Sequence, residues 1–233
     1  MNSRIQGCTV CGGTEFTDSG ILWPTLSEAW ELTSDEVRYI NRQQGTCCKT
    51  CGCSLRSLAL AKAIMSACRY SGIFRWFLLS PRLWVRRVLE LNGAGGLTRY
   101  LARLPRHVAA AFPEVDMQRM PYADASFDLV LHSDTLEHVP DASQGLRECL
   151  RVLAPGGWCC FTIPIITGRL TRSRQGMAAS YHGPPDHEQG DFIVHTEYGS
   201  DFWEQILAAG FDECRIVTVE YPSAQAIAAR KAL

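Results

Sequence analysis

Val88-Leu89-Glu90-Leu91-Asn92-Gly93-Ala94-Gly95-Gly96 opens the stretch whose reading decides the fold, and Leu150-Arg151-Val152-Leu153-Ala154-Pro155-Gly156-Gly157 closes it. Between them lie Val115-Asp116-Met117-Gln118-Arg119-Met120-Pro121-Tyr122 and Ser126-Phe127-Asp128-Leu129-Val130-Leu131. One apolar run ends in an acid and a glycine turn. A second follows an Asp, and a third follows a Pro-Gly-Gly turn. These are strand–turn–helix units of an α/β fold, with polar groups at the carboxyl ends of the strands. Open α/β sheets place their ligands at those ends.

Four pieces stand in series: Glu90-x-x-Gly93-x-Gly95; Asp116-x-x-x-Met120-Pro121-Tyr122; Phe127-Asp128-Leu129-Val130 with Leu136-Glu137-His138-Val139; and Arg151-Val152-Leu153-x-Pro155-Gly156-Gly157. A glycine-rich turn alone is weak evidence, but four such pieces in order are strong. Together they resemble the class I S-adenosylmethionine (SAM)-dependent methyltransferases. The resemblance implies a Rossmann-like methyltransferase sheet, SAM as cofactor and methyl transfer as the activity.

It also implies roles for residues. Glu90 matches the acid that closes the family's first strand. The family then reads acid-x-Gly-x-Gly-x-Gly. Either Asn92 and Ala94 replace the first two glycines, or one residue is inserted and Gly93-Ala94-Gly95 forms the turn. We prefer the insertion, because Asn tolerates a left-handed backbone and Asn92 can still turn the chain. Asp116 matches the Asp that receives the adenine amino group, and Met117 the apolar neighbour that packs on the ring. His132 and Ser133 would border the cofactor. The first strand is expected over Trp84–Leu91. Only residues 92–115 separate it from Asp116, whereas one βαβ unit takes roughly 30 residues. The sheet is therefore predicted to be shortened between its first and third strands, with a helix over Leu97–Leu104, one short strand around His107–Ala111 and no full second helix. Glu114 is the one acid in that interval beyond the turn, and its place beside Asp116 leaves the ribose contact unassigned.

His138 follows the Phe127–His132 strand and has an unperturbed pKa near neutrality, which suits a general base; a structural His is the alternative. His195 is the second candidate. Residues Gly168–Glu197 show no periodicity and read as an irregular insertion at the sheet's active edge. Arg169 and Arg172 there, with Tyr181 and His182, are candidate acceptor contacts, since arginines clamp phosphate or carboxylate. A solvated basic loop is the alternative. Asp141–Leu153 reads as an amphipathic helix, Cys159 and Cys160 as core thiols, Gly199–Ala209 as a capped helix, Cys214–Tyr221 as a last strand, and the alanine-rich tail Pro222–Leu233 as a closing helix.

The N-terminal residues carry a second signal. Cys8-Thr9-Val10-Cys11-Gly12 and Cys48-Lys49-Thr50-Cys51-Gly52 are two Cys-x-x-Cys knuckles, each followed by Gly. That is the ligand pattern of a tetrahedral zinc site, assigned to Cys8, Cys11, Cys48 and Cys51. Cys47 and Cys53 flank the second knuckle and would substitute in another register. In the spacer, Thr33-Ser34-Asp35-Glu36 is a capping box for a helix ending at Gly45. Trp23, Trp30 and Leu32 are expected to pack under the knuckles, and Trp23 and Tyr39 to be core or partner contacts. Ser54 starts another helix with Leu55, Leu58, Ala61, Met65 and Cys68 on one face. The aromatic segment Ile73–Leu79 reads as packing or as a pocket lid. The expected organisation is a zinc-binding module (1–54), a linking helix and aromatic segment (55–84) and a methyltransferase domain (85–233).

The chain has 233 residues, 46% apolar and 20% charged, with a formal net charge of −1. It can bury a sizeable core, and it has no global basic field of the kind that nucleic-acid binders show. Six of its eleven cysteines precede Ser54, a pattern that fits metal ligands and buried thiols of a reducing compartment. No apolar run reaches the length of a transmembrane helix, and no signal-peptide core opens the chain. The expectation is therefore a cytoplasmic enzyme that methylates a small-molecule acceptor, with no membrane contact and no nucleic-acid partner. Two rival readings are a methyltransferase-like binding protein that has lost SAM and an RNA methyltransferase.

Overall fold

The structure, a computed structural model, describes residues 5–181 and 192–233. In chain order the elements begin with β1 (Phe16–Thr17), α1 (Pro24–Ala29), α2 (Ser34–Gly45), β2 (Cys47–Cys48), α3 (Leu55–Ala67), α4 (Phe74–Phe77) and α5 (Pro81–Trp84). Then come β3 (Val88–Leu91), α6 (Thr98–Leu101), β4 (His107–Ala110), β5 (Phe127–Ser133), α7 (Ala142–Val152), β6 (Leu153–Thr162), β7 (Ile165–Ile166) and β8 (Arg172–Ser173). The chain ends in β9 (Thr196–Gly199), α8 (Phe202–Ala208), β10 (Glu213–Glu220) and β11 (Ala224–Arg230).

One six-stranded sheet runs β10-β11-β6-β5-β3-β4. The four strands β4, β3, β5 and β6 are parallel, with Val88 opposite both His107 and Leu129. β10 and β11 form an antiparallel hairpin on β6. This is the expected Rossmann-like methyltransferase sheet, shortened as the spacing required. β3 connects to β4 through a 3-10 turn at Gly95–Leu97 and the single-turn α6. Residues 111–126 then cross to β5 with neither helix nor strand, which is long enough for a parallel connection.

Strand alternation divides the core into two layers. Leu89, Leu91, Val130, Cys159, Phe161, Ile227 and Ala229 pack with α7 and α8. Val88, Leu129, Leu131, Cys160, Ala226 and Ala228 pack with α3 and with the knuckle cysteines Cys8, Cys11, Cys48 and Cys51. The knuckles thus share a core with the sheet. α3 is apolar almost all round and buried accordingly, with Leu55, Leu58, Leu60 and Ile64 inaccessible to solvent. Ser54 caps it by accepting from the Ser57 amide.

Local rules held where the chain was free to follow them. The capping box of α2 is complete: Thr33 accepts from the Glu36 amide at 3.3 Å, and Glu36 accepts from the Thr33 amide at 2.7 Å. Cys159 and Cys160 are fully buried.

Other expectations are corrected. The first strand begins at Val88, because Pro81 sits at the start of a helical turn, where its fixed φ is suited, and α5 takes up Trp84. The helix expected over Leu97–Leu104 stops at Leu101; Pro105 disfavours helical geometry just before it. The alanine-rich tail is β11, not a helix. Its small side chains lie between β10 and β6, and α3 approaches them closely. Helix propensity is outweighed there by the pairing of a central strand. Finally, Trp30 does not pack under the knuckles. It is buried with Leu26, Ile40, Ile166 and Val194, beside Leu32 and Tyr39. In the aromatic segment Phe74 and Phe77 are core, while Trp76 is exposed. Among the described residues no helix is long and apolar enough to cross a membrane.

Candidate functional site

A cavity of about 720 Å³ opens at the carboxyl ends of β3 and β5. Arg56 on α3 and Pro164 and Ile166 after β6 are part of its wall, with three further stretches of the chain. The turn after β3 and the β4–β5 crossing supply Asn92, Gly95, Ala111, Phe112, Asp116 and Met117. The segment after β5 supplies Ser133, Asp134, Thr135, Glu137 and His138, with His195 from the insertion. The N-terminal residues supply Leu22, Trp23, Leu26, Trp30, Leu32 and Ile40. The tryptophans that were expected beneath the cysteines are therefore a wall of this cavity.

Glu90 organises the glycine turn from inside. It is 1% exposed and is not among the lining residues. Its carboxylate accepts from the Ala94 amide at 2.7 Å and from the Thr98 hydroxyl, and meets His107 Nε2 at 2.7 Å. Burial raises its pKa, but these partners outweigh burial and hold it below the usual carboxylate range. The bonds fix Ala94, which is buried, while Gly93 and Gly95 take left-handed angles. Gly95 lies so close that a Cβ would meet Ser57 Oγ at 3.2 Å and Ser133 Oγ at 3.7 Å. Asn92 is left-handed too, at φ 52°, and its Oδ1 accepts from the Phe112 amide at 2.8 Å, tying the turn to the exit of β4.

Asp116 and Met117 both line the cavity. Asp116 Oδ1 accepts from the Gln118 amide at 2.8 Å, which orients the carboxylate. Met117 is 3% exposed and fixed against Gly145. Ser133 Oγ lies 2.8 Å from Thr162 Oγ1. His132 stays out of the cavity; it is fully buried and stacked on Phe161 at 4.6 Å between ring centres. Ala111 and Phe112 line the cavity where the chain leaves β4, and Glu114 is not among the lining residues.

His138 and His195 meet in the cavity wall. His138 Nδ1 lies 2.9 Å from the Ile193 carbonyl, so the N–H sits there and the neutral ring keeps its lone pair on Nε2. Burial lowers the pKa of His138, partly countered by that bond, and burial also lowers His195. The neutral ring is the form that can accept a proton.

Arg169 and Arg172 do not line the cavity. Arg169 grips Glu36 and the Trp30 and Glu31 carbonyls. Arg172 pairs with Glu197 at 2.5 Å, and Arg174 with the same carboxylate. Tyr181 bridges to Ile193. His182 lies outside the described residues.

Three charged residues that had no expected role in the site also line the cavity: Arg56, Asp134 and Glu137. Arg56 is half-buried on α3 and pairs with Asp134, which also accepts from Gln44 Nε2 and Thr162 Oγ1, each at 3.1 Å. Glu137 is fully buried, 3.7 Å from His138 Nε2. One signal was available: Arg56 is the lone charge in the buried first turn of a mostly apolar helix, Leu55-Arg56-Ser57-Leu58.

The four knuckle thiols form a second, separate centre. Their sulfur atoms all lie within 4.8 Å of one another, with Cys8–Cys51 at 3.5 Å and Cys11–Cys48 at 3.6 Å. A zinc–sulfur tetrahedron with bonds of about 2.3 Å has edges of about 3.8 Å, so the donor set fits that ion. Gly12 and Gly52 adopt left-handed angles and donate to the Cys8 and Cys48 carbonyls at 2.8 and 2.7 Å, so both knuckles close the same way. Cys47 instead points to the Gln44 carbonyl at 3.5 Å, and Cys53 to the Gly96 carbonyl at 3.6 Å.

Comparison with known proteins finds methyltransferases. Residues 97–161 match a family model described as a methyltransferase domain. A probable S-adenosylmethionine-dependent methyltransferase of Mycolicibacterium smegmatis is 43% identical over 56 residues, covering 22% of each chain. Norajmaline N-methyltransferase of Rauvolfia serpentina is 46% identical over 155 residues, covering 55% of this chain and 51% of that protein. This chain thus spans about half or less of the length of these curated relatives. A solved Thermotoga maritima SAM-dependent methyltransferase, described as a possible histamine N-methyltransferase, aligns with 76% of this chain and 90% of its own at 16% identity and a TM-score of 0.42.

Proposed function

We infer that this chain, which carries a methyltransferase domain, transfers the methyl group of SAM to a small-molecule acceptor. One observation carries the reading: the left-handed turn at Gly95, held from within by Glu90, borders an open cavity that also contains Asp116 and Met117. Bound SAM supplies an activated methyl on a sulfonium with a good leaving group. Asn92, Gly93, Ala94 and Gly95 let the backbone approach the amino-acid and ribose parts, for want of bulky side chains. Asp116 accepts from the adenine amino group, since an ionised carboxylate is acceptor-only, and Met117 packs on the ring. Ser133 borders the same place. The apolar N-terminal wall excludes water and holds the acceptor against the methyl, so that alignment does most of the catalysis. His138 takes a proton on Nε2 when the acceptor must lose one, with His195 beside it. Cys8, Cys11, Cys48 and Cys51 hold zinc, which fixes the N-terminal residues on the sheet.

Ala111 and Phe112, rather than an acid, follow directly on β4 at the cavity, which favours a second reading, a methyltransferase-like binding protein without SAM. Native mass spectrometry of the purified protein separates the two. The enzyme reading expects one zinc together with SAM or its demethylated product, S-adenosylhomocysteine (SAH). Zinc without any nucleoside, even after addition of excess SAM, favours the second.

A further inference from the structure

The cavity contains a buried carboxylate that accepts no hydrogen bond from the described residues; His138 Nε2, 3.7 Å from its Oε1, stands beyond hydrogen-bond reach. Glu137 is 0% exposed, and neither carboxylate oxygen has a hydrogen-bond partner among the described residues. Buried polar groups are normally satisfied, and a lone buried carboxylate is costly unless something meets it. Its backbone is fixed: the Glu137 carbonyl accepts from the His195 amide at 2.8 Å. The one guanidinium nearby, Arg56, is paired with Asp134. Burial raises Glu137 to a pKa of about 8, although its own backbone amide and then the Arg56 charge pull the other way. Among the described residues the charged groups of the lining are Arg56, Asp116, Asp134 and Glu137, so carboxylates outnumber the cation there. The arginines that suit an anionic acceptor, Arg169 and Arg172, are taken up by Glu36 and Glu197.

We propose that the acceptor is an apolar molecule bearing a basic nitrogen, and that Glu137 receives that nitrogen in the cavity walled by Trp23 and Trp30. The proposal rests on the reading that the same cavity takes SAM. An ammonium or amine N–H supplies the donor the carboxylate lacks, and its charge balances the excess of carboxylates. The aromatic wall adds an apolar face that also suits a cation. SAM has an ammonium of its own; the backbone of Glu137 is tied to the insertion through His195, and the SAH control below separates the two assignments.

The test uses the full chain saturated with SAH, and a panel of arylalkyl amines (phenethylamine, benzylamine and tryptamine), each with its matched alcohol and carboxylate. Binding is read by calorimetry and by thermal shift, on wild type and Glu137→Gln. The variant keeps the shape, loses the charge and replaces one acceptor with a donor. The expected result is at least one amine bound roughly tenfold more tightly than its alcohol by the wild type, as one charge-assisted hydrogen bond supplies. Glu137→Gln should lose that preference while binding SAH as the wild type does. Three results overturn the proposal: no amine preference in the wild type, an amine preference that survives in Glu137→Gln, or loss of SAH binding in the variant, which would assign Glu137 to the cofactor. Failure of the wild type to bind SAH would instead overturn the parent reading.

Discussion

Arg169 of the insertion closes on Glu36 of α2, with Nε 3.0 Å from Oε1 and Nη2 2.9 Å from Oε2. Glu36 is already the acid of the α2 capping box. One carboxylate therefore ends a helix and clasps the insertion to the N-terminal residues, beside the wall of the cavity. Breaking a partly buried pair of this geometry costs about 2 kcal/mol. Arg169→Ala should lower stability by that amount in denaturant titration, and raise the KM for acceptor while leaving SAH affinity as it was. Equal loss of acceptor and SAH binding would deny the clasp its special bearing on the acceptor wall.

His132 makes stability depend on pH. Burial lowers its pKa from 6.5 to about 3, and neither ring nitrogen has a hydrogen-bond partner among the described residues. Between those values the unfolded chain binds a proton that the folded chain refuses. The contribution of this residue to stability therefore falls as pH drops below about 6.5, by up to about 1.4 kcal/mol per pH unit. His132→Leu fills similar space and removes the titration. Its stability should fall less steeply than the wild type's from about pH 6 to pH 4. Parallel curves would show that His132 is not the group responsible.

The knuckle geometry selects four of six cysteines. Cys48→Ser should lose zinc, measured with a colorimetric chelator after unfolding, and lower Tm by about 10 °C or more. Cys47→Ser and Cys53→Ser should keep one zinc per chain. Loss of metal from either of the latter would put the register wrong.

Asn92 combines a left-handed backbone with a side-chain tie to the Phe112 amide. Asn92→Gly keeps the backbone angle and loses the tie; Asn92→Ala loses the tie and adds strain. We expect Ala to cost about 1–2 kcal/mol more than Gly. Both should weaken SAH binding, because the tie joins two walls of the cavity. Equal stabilities would mean that the backbone angle carries no cost here.

How far the sequence was legible follows the range of the interactions involved. The α2 capping box and the Ser54 cap are contacts over three residues, so Thr33, Glu36 and Ser54 disclosed them. The shortened sheet was legible because chain length between Asn92 and Asp116 is a hard limit. The tail was not: alanines read locally as a helix, and only the slot between β10 and β6 makes them a strand. Arg169 and Arg172 looked available for a ligand because their partners, Glu36 and Glu197, are 133 and 25 residues away. Glu137 was visible in the Leu-Glu-His-Val motif, but its lack of a partner is a property of burial in three dimensions.

Methyl transfer here requires that the cavity beside Gly95 be a nucleoside site with Asp116 at its adenine end. Isothermal titration with SAH tests this most directly, on wild type and Asp116→Ala. The account predicts one site per chain in the wild type and at least tenfold weaker binding, about 1.4 kcal/mol, in the variant. No heat from SAH or SAM with the folded wild type, or equal affinity in the two proteins, would contradict it.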